Sequence, residues 1–368
     1  MTSTGKETLG HQYNGALDFW KLIFTILVVL YHAGEIREWD NVLPIGYTAV
    51  EFFFILSGYF MAVSASRKPK VIPGTLGKET AGFIWHKIKA ILPYYLFAYT
   101  LSFLSYIYYI LRGRSARVIV EKLSRVIPNF LLLSTSGIKE STVLGTTWYI
   151  SAMLLAMCFL YPLLRKYWDM YLHVIAPLSA ILVAGYLCNK YGNFGLSYDL
   201  DVFISQKLVR SVVGLNIGCT VYVVSEKIKM VRFSTLSRIL LALVEWGCYL
   251  WILLAMHYMK ADYVFTLLFL YFFALTITTS KQSVLGSAFD HRIMKTANQF
   301  SLALYLCHSA CRRVMVYSET DWGYLKSTVI FTAFSLITAL VCMVVVKYFR
   351  RFLNSHSENI KKFFLKTA

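Results

Sequence analysis

Two ionisable residues lie inside the first apolar stretch of the sequence, eleven positions apart. Lys21 and His32 both fall within residues 17–33, which are otherwise largely apolar. Ionisable groups are costly inside a bilayer and usually mark function there. In a helix, eleven residues bring two side chains within about 20° of each other and about 16 Å apart along the axis. This pattern favours a ligand lying along one helix face. Alternatively, Lys21 extends to the interface and His32 makes an ordinary polar contact.

A second motif, GYTAVEFFFILSGYFM at 46–61, places Glu51 near one end of the next apolar segment. Only about a dozen residues join the two segments, so Glu51 is able to approach His32. A carboxylate beside an imidazole orients its tautomer and raises its basicity, as proton abstraction requires. We therefore predict His32 as a base supported by Glu51. Glu35, three residues after His32, is an alternative partner that we expect to be solvated instead.

Further polar residues recur in the later apolar segments. Lys207 and Arg210 are three residues apart and therefore share a helix face. A buried Arg210 needs an anionic partner, for which Glu51 is a candidate. Trp148 is explained more simply by an aromatic belt at the membrane interface than by sugar stacking.

Two small or polar side chains have structural explanations as well as functional ones. Ser57 precedes Gly58, and small residues in membrane helices more often allow close helix packing than act as nucleophiles. His308 follows the sequence LYLC, where a polar contact within the bundle is the simplest interpretation. Neither residue is excluded from a site that binds an acceptor molecule.

The composition indicates an integral membrane protein. The chain of 368 residues is 57% hydrophobic and 15% charged, with a mean hydropathy of +0.56. Its cysteines lack the spacing of metal ligands, so we expect neither a metal site nor a disulfide framework. Runs of apolar residues predict an all-α, polytopic bundle of about ten transmembrane helices. The predicted spans are 17–33, 46–65, 91–111, 147–164, 169–189, 202–224, 236–258, 262–280, 297–315 and 327–347.

Charge distribution sets the expected topology. Basic clusters at 67–89 and 347–366 lie on the same side of ten spans, which favours an N-in, C-in arrangement. The basic loop at 112–146 conflicts with this, and its segment 116–133 has the alternation of an amphipathic surface helix. We divide the chain into a cytoplasmic segment (1–16), a transmembrane domain (17–347) and a basic cytoplasmic tail (348–368).

Four motifs together resemble the membrane acyltransferase-3 family, whose members include bacterial O-acyltransferases that modify cell-surface polysaccharides. The first two are LDFWKLIFTILVVLYHAG, with a basic residue and a histidine eleven positions apart, and GYTAVEFFFILSGYFM. The weaker two are TTWYISAMLLAMCFLYPL (146–163) and FSLALYLCHSA (300–310). They occur in the family's order and span most of the chain. The sequence departs from the family at HKIKAILPYY, where Lys87 matches the first position of a basic pair but Ala90 replaces the second.

The resemblance implies a fold, an activity and a set of substrates. Acyl-CoA, most simply acetyl-CoA, would bind from the cytoplasm, with Lys21, Lys87 and Lys89 on the donor path. His32, supported by Glu51, would deprotonate a hydroxyl of a polysaccharide or glycolipid on the other face. Arg210, Trp148, His308 and Ser57 would then be acceptor-site or structural residues.

The resemblance also implies a multi-pass protein of the bacterial inner membrane that binds no nucleic acid. Two other classes remain open from the residues alone. One is a transporter or flippase with a polar path through the membrane, although no internal repeat supports it. The other is a membrane sensor or scaffold, in which the ionisable residues within the membrane would have no purpose.

Overall fold

The computed structural model describes residues 13–36, 43–112, 114–192, 194, 199–201, 204–259, 264–318 and 322–367. Each predicted span overlaps a helix within these ranges, although residues 202–203 and 262–263 of two predicted spans lie outside the described residues and the span at 202–224 includes strand β2. The helices are α1 (Gly15–Gly34), α2 (Ala49–Ser66), α3 (Leu76–Leu111), α4 (Ala116–Ser124), α5 (Ile127–Phe130), α6 (Thr147–Lys166), α7 (Trp168–Met170), α8 (Ala176–Tyr191), α9 (Gln206–Lys229), α10 (Thr235–Tyr258), α11 (Val264–Ser280), α12 (Arg292–Tyr317) and α13 (Tyr324–Thr367).

Three short elements complete the path. A 3-10 turn at Gly46–Thr48 leads into α2, and a π turn at Tyr171–Ile175 joins α7 to α8. Strands β1 (Asp199–Asp201) and β2 (Ile204–Ser205) form a small antiparallel pair before α9. Helices α4 and α5 occupy the segment predicted as an amphipathic surface helix.

The prediction of an all-α, polytopic membrane protein is confirmed. Within the described ranges, eight helical segments are long and apolar enough to cross a membrane: α1, α2, α3, α6, α7 with α8, α9, α10 and α13. Helix α11 is apolar but has only 17 residues. Helix α12 is long enough but too polar to meet the same measure. The orientation of the termini and the division into three segments stay predictions.

Hydrogen bonds connect the start of α1 to residues much later in the sequence. Asn14 caps the helix by accepting the backbone N–H of Leu17 at 3.2 Å, and its side-chain amide donates to the carbonyl of Thr278 at 2.8 Å. The N–H of Gly15 donates to Asp290 Oδ1 at 2.7 Å. These bonds hold α1 against α11 and against the loop that leads into α12.

Helices α2 and α9 approach so closely that only glycine fits at their crossing. A Cβ atom on Gly58 would lie 2.0 Å from the carbonyl oxygen of Leu215, and one on Gly218 would lie 2.0 Å from the carbonyl oxygen of Ile55. The packing role predicted for the small residues at this point of α2 is therefore confirmed for Gly58. The crossing sets the register of the two helices and brings Arg210 on α9 beside Glu51 on α2.

The segment between α5 and α6 folds back over one end of the bundle. Asn129, which is fully buried, donates to Thr147 Oγ1 at 2.7 Å and accepts the N–H of Leu144 at 3.0 Å. The N–H of Gly145 donates to Ser309 Oγ on α12 at 2.9 Å. This segment, whose sequence predicts only a loop, therefore forms part of the structure around the C-terminal end of α1.

Candidate active site

A histidine, a carboxylate and an arginine lie in a row at the C-terminal end of α1. His32 Nδ1 is 2.6 Å from Glu35 Oε2, and Arg312 Nη2 of α12 is 3.1 Å from the same oxygen. The side chains of His32 and Glu35 are 27% and 33% exposed, so water and ligands reach them. The row has the order of a base, an orienting carboxylate and a cation that holds the carboxylate in place.

The charge of Glu35 determines which nitrogen of His32 is basic. Burial raises the pKa of Glu35, but the hydrogen bond with His32 and the charges of His32 and Arg312 outweigh it and hold this pKa below the ordinary value of 4.5. An ionised carboxylate only accepts hydrogen bonds, so Nδ1 of His32 carries the hydrogen. In the neutral ring, Nε2 is then left with its lone pair, as a general base requires.

A second imidazole lies parallel to the first. The rings of His32 and His308 are 5.2 Å apart between centroids and inclined by 24°. His308 is buried, and its Nδ1 lies 3.3 Å from the carbonyl oxygen of Leu304. Because a carbonyl accepts only, Nδ1 is the donor, and Nε2 of His308 is also available as an acceptor.

The predicted support of His32 by Glu51 is wrong. Glu51 is 1% exposed and forms an ion pair with Arg210, whose Nη1 and Nη2 donate to the carbonyls of Phe194 at 3.0 Å and Tyr47 at 2.9 Å. The close crossing of α2 and α9 turns Glu51 toward Arg210, whereas Glu35 lies one turn from His32 on the same chain. The expectation that Glu35 is solvated is also wrong, because its carboxylate bonds to His32 and Arg312. The suggestion that Glu51 is the partner of Arg210 is confirmed.

His32, Glu35, His308 and Arg312 line a cavity of about 350 Å³, which is within the usual range for small-molecule sites of about 300–1,000 Å³. It lies between α1, α2, α6, α9 and α12. Its lining residues are Val28, Tyr31, His32, Glu35, Gly46, Tyr47, Val50, Gly145, Thr146, Trp148, Phe194, Lys207, Arg210, Tyr305, His308, Ser309 and Arg312.

The cavity brings together several residues predicted from separate segments. Arg210, Trp148 and His308 all line it. Trp148 is half-buried, and the Lys207 ammonium and the Arg210 guanidinium lie 5.8 Å and 5.5 Å from the centre of its ring. Trp148 therefore faces this cavity instead of serving only as an interfacial belt. Ser57 is not among the lining residues; its hydroxyl lies 3.4 Å from that of Tyr149.

Lys21 lies at the other end of α1, as the eleven-residue spacing predicts. Its Nζ is 2.9 Å from Asp18 Oδ1 and 3.2 Å from Asn298 Oδ1 of α12. Because His32 stacks on His308 of the same helix, both residues of the spaced pair face α12. The predicted common face is therefore confirmed.

The other two predicted donor residues, Lys87 and Lys89, lie on α3. The charges of Lys87 and Lys21 are close enough to repel each other, and the Lys87 ammonium is 5.5 Å from the Phe83 ring. Lys89 is exposed and lies over the Trp85 ring at 5.4 Å. A contribution of either lysine to donor binding stays a prediction.

A second polar cavity, of about 530 Å³, lies at the N-terminal end of α1, between α1, α2, α9 and α11. Two of its cations already have partners. Lys229 Nζ is 2.6 Å from Glu226 Oε1, and Lys281 Nζ is 2.5 Å from Asp290 Oδ2. This cavity and the His32 cavity lie at opposite ends of α1, α2 and α9.

The sequence named Glu35 only as the alternative partner of His32, and it did not single out Arg312 as a functional residue. Helical spacing is the sequence signal for both, although it does not show how α1 and α12 pack. Glu35 is three residues after His32, and Arg312 is four residues after His308, so each pair shares a helix face. Among the described residues, no group of three His, Cys, Asp or Glu side chains is arranged to hold a metal ion.

Comparison with known proteins gives one match. The chain matches no curated protein and no solved structure. The family model described as an acyltransferase domain matches residues 14–347, which include both cavities and every helix except the last part of α13. The chain therefore belongs to the acyltransferase-3 family and is a membrane acyltransferase.

Proposed function

We propose that this protein is an O-acyltransferase of the bacterial inner membrane that moves an acyl group, most simply acetyl, from cytoplasmic acyl-CoA to a glycan hydroxyl outside. The observation that carries the proposal is the His32–Glu35 pair on the wall of a cavity that lies at the opposite end of α1 from Lys21. Family membership favours this enzyme over the transporter and scaffold alternatives.

The chemistry follows from the tautomer of His32. Its Nε2 takes the proton of the acceptor hydroxyl as the oxygen attacks the thioester carbonyl carbon. The resulting imidazolium is stabilised by Glu35, which is held in turn by Arg312. Collapse of the tetrahedral intermediate breaks the C–S bond, and the proton passes to the departing thiolate. The products are an ester and free CoA.

The donor approaches from the Lys21 end. The rise of about 16 Å between Lys21 and His32 is on the scale of an extended pantetheine arm. Lys21 and Lys87 form a pair of neighbouring cations there, which suits the phosphates of acyl-CoA. Lys89 adds positive charge nearby on the same helix as Lys87. Ala90, which replaces the second basic residue of the family's pair, leaves this pair of lysines as the main anion-binding group.

The acceptor occupies the His32 cavity. Trp148 provides an aromatic surface with a polar edge, of the kind that contacts sugars. His308 presents an acceptor nitrogen beside His32 and is suited to orient a neighbouring hydroxyl. Arg210 is fixed by Glu51 and two carbonyls, so it shapes the wall of the cavity.

The test is mass spectrometry of surface glycans from cells that express the wild type or His32→Ala. Removal of a general base lowers the rate by about 10²–10⁴-fold, so the ester modification should disappear in the variant at equal protein levels. His173→Ala is the matched control, because His173 is exposed in the π turn and lies outside the cavity. Normal acylation by His32→Ala, or equal loss in both variants, would exclude His32 as the base.

A further inference from the structure

Cations from two helices line the cavity that contains His32. Among the described residues that line it, Lys207, Arg210 and Arg312 are basic and Glu35 is acidic. Glu51 adds a second carboxylate behind Arg210, where it is almost completely buried. Arg210 is therefore paired with Glu51, whereas Arg312 shares Glu35 with His32.

Arg312 keeps most of its hydrogen-bonding capacity. A guanidinium has five N–H donors, and the contact that Arg312 makes within the described part of the chain is the single one from Nη2 to Glu35. Its Nε is buried and has no hydrogen-bond partner there. A buried donor without a partner is unfavourable, and an anionic ligand would relieve that cost. Arg210 differs, because all three of its nitrogens already donate to protein oxygens.

Arg312 also has a fixed position relative to the base. It shares Glu35 Oε2 with His32, so an anion bound to its remaining donors lies next to the hydroxyl that His32 deprotonates. Lys207, on α9, lines the same cavity and adds positive charge from another helix. Planar, forked donors suit carboxylate and phosphate oxygens, which arginine binds in a bidentate manner.

We propose that the acceptor is an anionic glycan, which carries a carboxylate or a phosphate ester close to the hydroxyl that is acylated, and that Arg312 binds this anion. The inference rests on the proposed function and adds the chemical class of the acceptor. The competing role for these cations is to stabilise the oxyanion of the tetrahedral intermediate. That role is independent of acceptor charge, so the two roles give different results.

The experiment uses detergent-purified protein, acetyl-CoA and matched pairs of acceptors. Methyl β-glucuronide is compared with methyl β-glucoside, and glucose 6-phosphate with glucose, so that the two arms distinguish a carboxylate from a phosphate. The kcat/KM ratio of anionic to neutral acceptor is measured for the wild type, Arg312→Gln and Arg313→Gln. Arg313 is the matched control, because it donates to Thr142 and Tyr317 and does not line the cavity.

We expect a wild-type ratio of about ten or more in at least one arm, which corresponds to one charge-assisted hydrogen bond. The ratio should fall to about one in Arg312→Gln and stay unchanged in Arg313→Gln. Equal use of both acceptors by the wild type overturns the inference. So does an Arg312→Gln variant that loses kcat equally on both acceptors and keeps the ratio.

A binding measurement separates the inference from the proposed function. Calorimetric titration of each sugar into the protein without acetyl-CoA does not depend on catalysis. Binding of an anionic sugar that Arg312→Gln abolishes, without acyl transfer to any acceptor, supports the inference and contradicts the proposed function. Acyl transfer without a preference for the anionic acceptor supports the proposed function and contradicts the inference. Binding of neither anionic sugar also overturns the inference.

Discussion

Glu35 and Glu51 are two carboxylates from neighbouring segments with different surroundings. Glu35 is one-third exposed and bonds to His32 and Arg312 at the edge of the cavity. Glu51 is buried and pairs with Arg210. We therefore infer that the first acts in the chemistry and that the second holds the cavity wall in place.

Substitution of each carboxylate by glutamine should have a distinct effect. Glu35→Gln removes the charge that orients His32 and stabilises its imidazolium, so the acyl-transfer rate should fall by up to about 10⁴-fold without a large loss of thermal stability. Glu51→Gln leaves a buried arginine without its counter-charge, which costs about 3–5 kcal/mol, so the melting temperature should fall. The measurements are acyl-transfer rates and thermal unfolding in detergent. A wild-type rate for Glu35→Gln, or wild-type melting for Glu51→Gln, would contradict these roles.

Lys21 is predicted to act on donor binding. Lys21→Ala should weaken the affinity for CoA, and Lys21→Arg should keep much of it because the positive charge remains. Both affinities are measurable by titration of CoA into the purified protein. Equal affinity in the wild type and Lys21→Ala would place Lys21 outside the donor path, since its contacts with Asp18 and Asn298 would then be structural.

The residues show which parts of the site were predictable. The spacing of Lys21 and His32 predicts their common face, because helix geometry alone determines it. The partner of His32 was not predictable in the same way, because Glu51 has an alternative partner on a helix that is distant in sequence. The role of Arg312 depends on how α1 and α12 pack, although its spacing from His308 indicates a shared face.

At the scale of the elements, α12 connects the two ends of the proposed reaction path. Its Asn298 bonds to Lys21, and its His308 stacks on His32. The sequence predicts α12 as the span at 297–315, although α12 is more polar than the other spans because it carries residues of the site. The helices were therefore predictable from the sequence, but the contacts that α12 makes with α1 were not.

The crossing of α2 and α9 gives a test of how helix packing positions the site. A Cβ atom on Gly58 would meet the backbone of Leu215 at 2.0 Å, so Gly58→Ala should separate the helices, weaken the Glu51–Arg210 pair and lower the melting temperature. Gly185→Ala is the matched control, because nothing lies within 4 Å of its added Cβ atom. We expect this control to be neutral or slightly stabilising, since alanine is favoured over glycine in a helix interior by about 1 kcal/mol.

The outcome is measurable by thermal unfolding of both glycine variants in the same detergent. Equal melting temperatures for Gly58→Ala and Gly185→Ala would show that the close crossing is not needed for stability. The position of Arg210 in the cavity would then require another explanation.

At the scale of the whole molecule, the two cavities suggest that the acyl donor and the acceptor bind at opposite ends of the bundle. The His32 cavity and the second cavity lie at opposite ends of α1, with Lys21 toward the latter. Under the predicted N-in topology, the His32 cavity faces outward and the Lys21 end faces the cytoplasm. The basic segment at 112–146 is the feature of the sequence that conflicts with this, and sidedness is therefore the property to measure.

The most direct measurement uses sealed membrane vesicles of known orientation with acetyl-CoA, which does not cross the bilayer, added outside. Methyl β-glucuronide and methyl β-glucoside are loaded inside, and their acetylation is followed by mass spectrometry. Inside-out vesicles expose the cytoplasmic face and should acetylate the enclosed sugar, whereas right-side-out vesicles should not. Vesicles with His32→Ala are the control and should be inactive in both orientations. Vesicles that acetylate the enclosed sugar in neither orientation, but become active once detergent opens them, would contradict transfer across the bilayer.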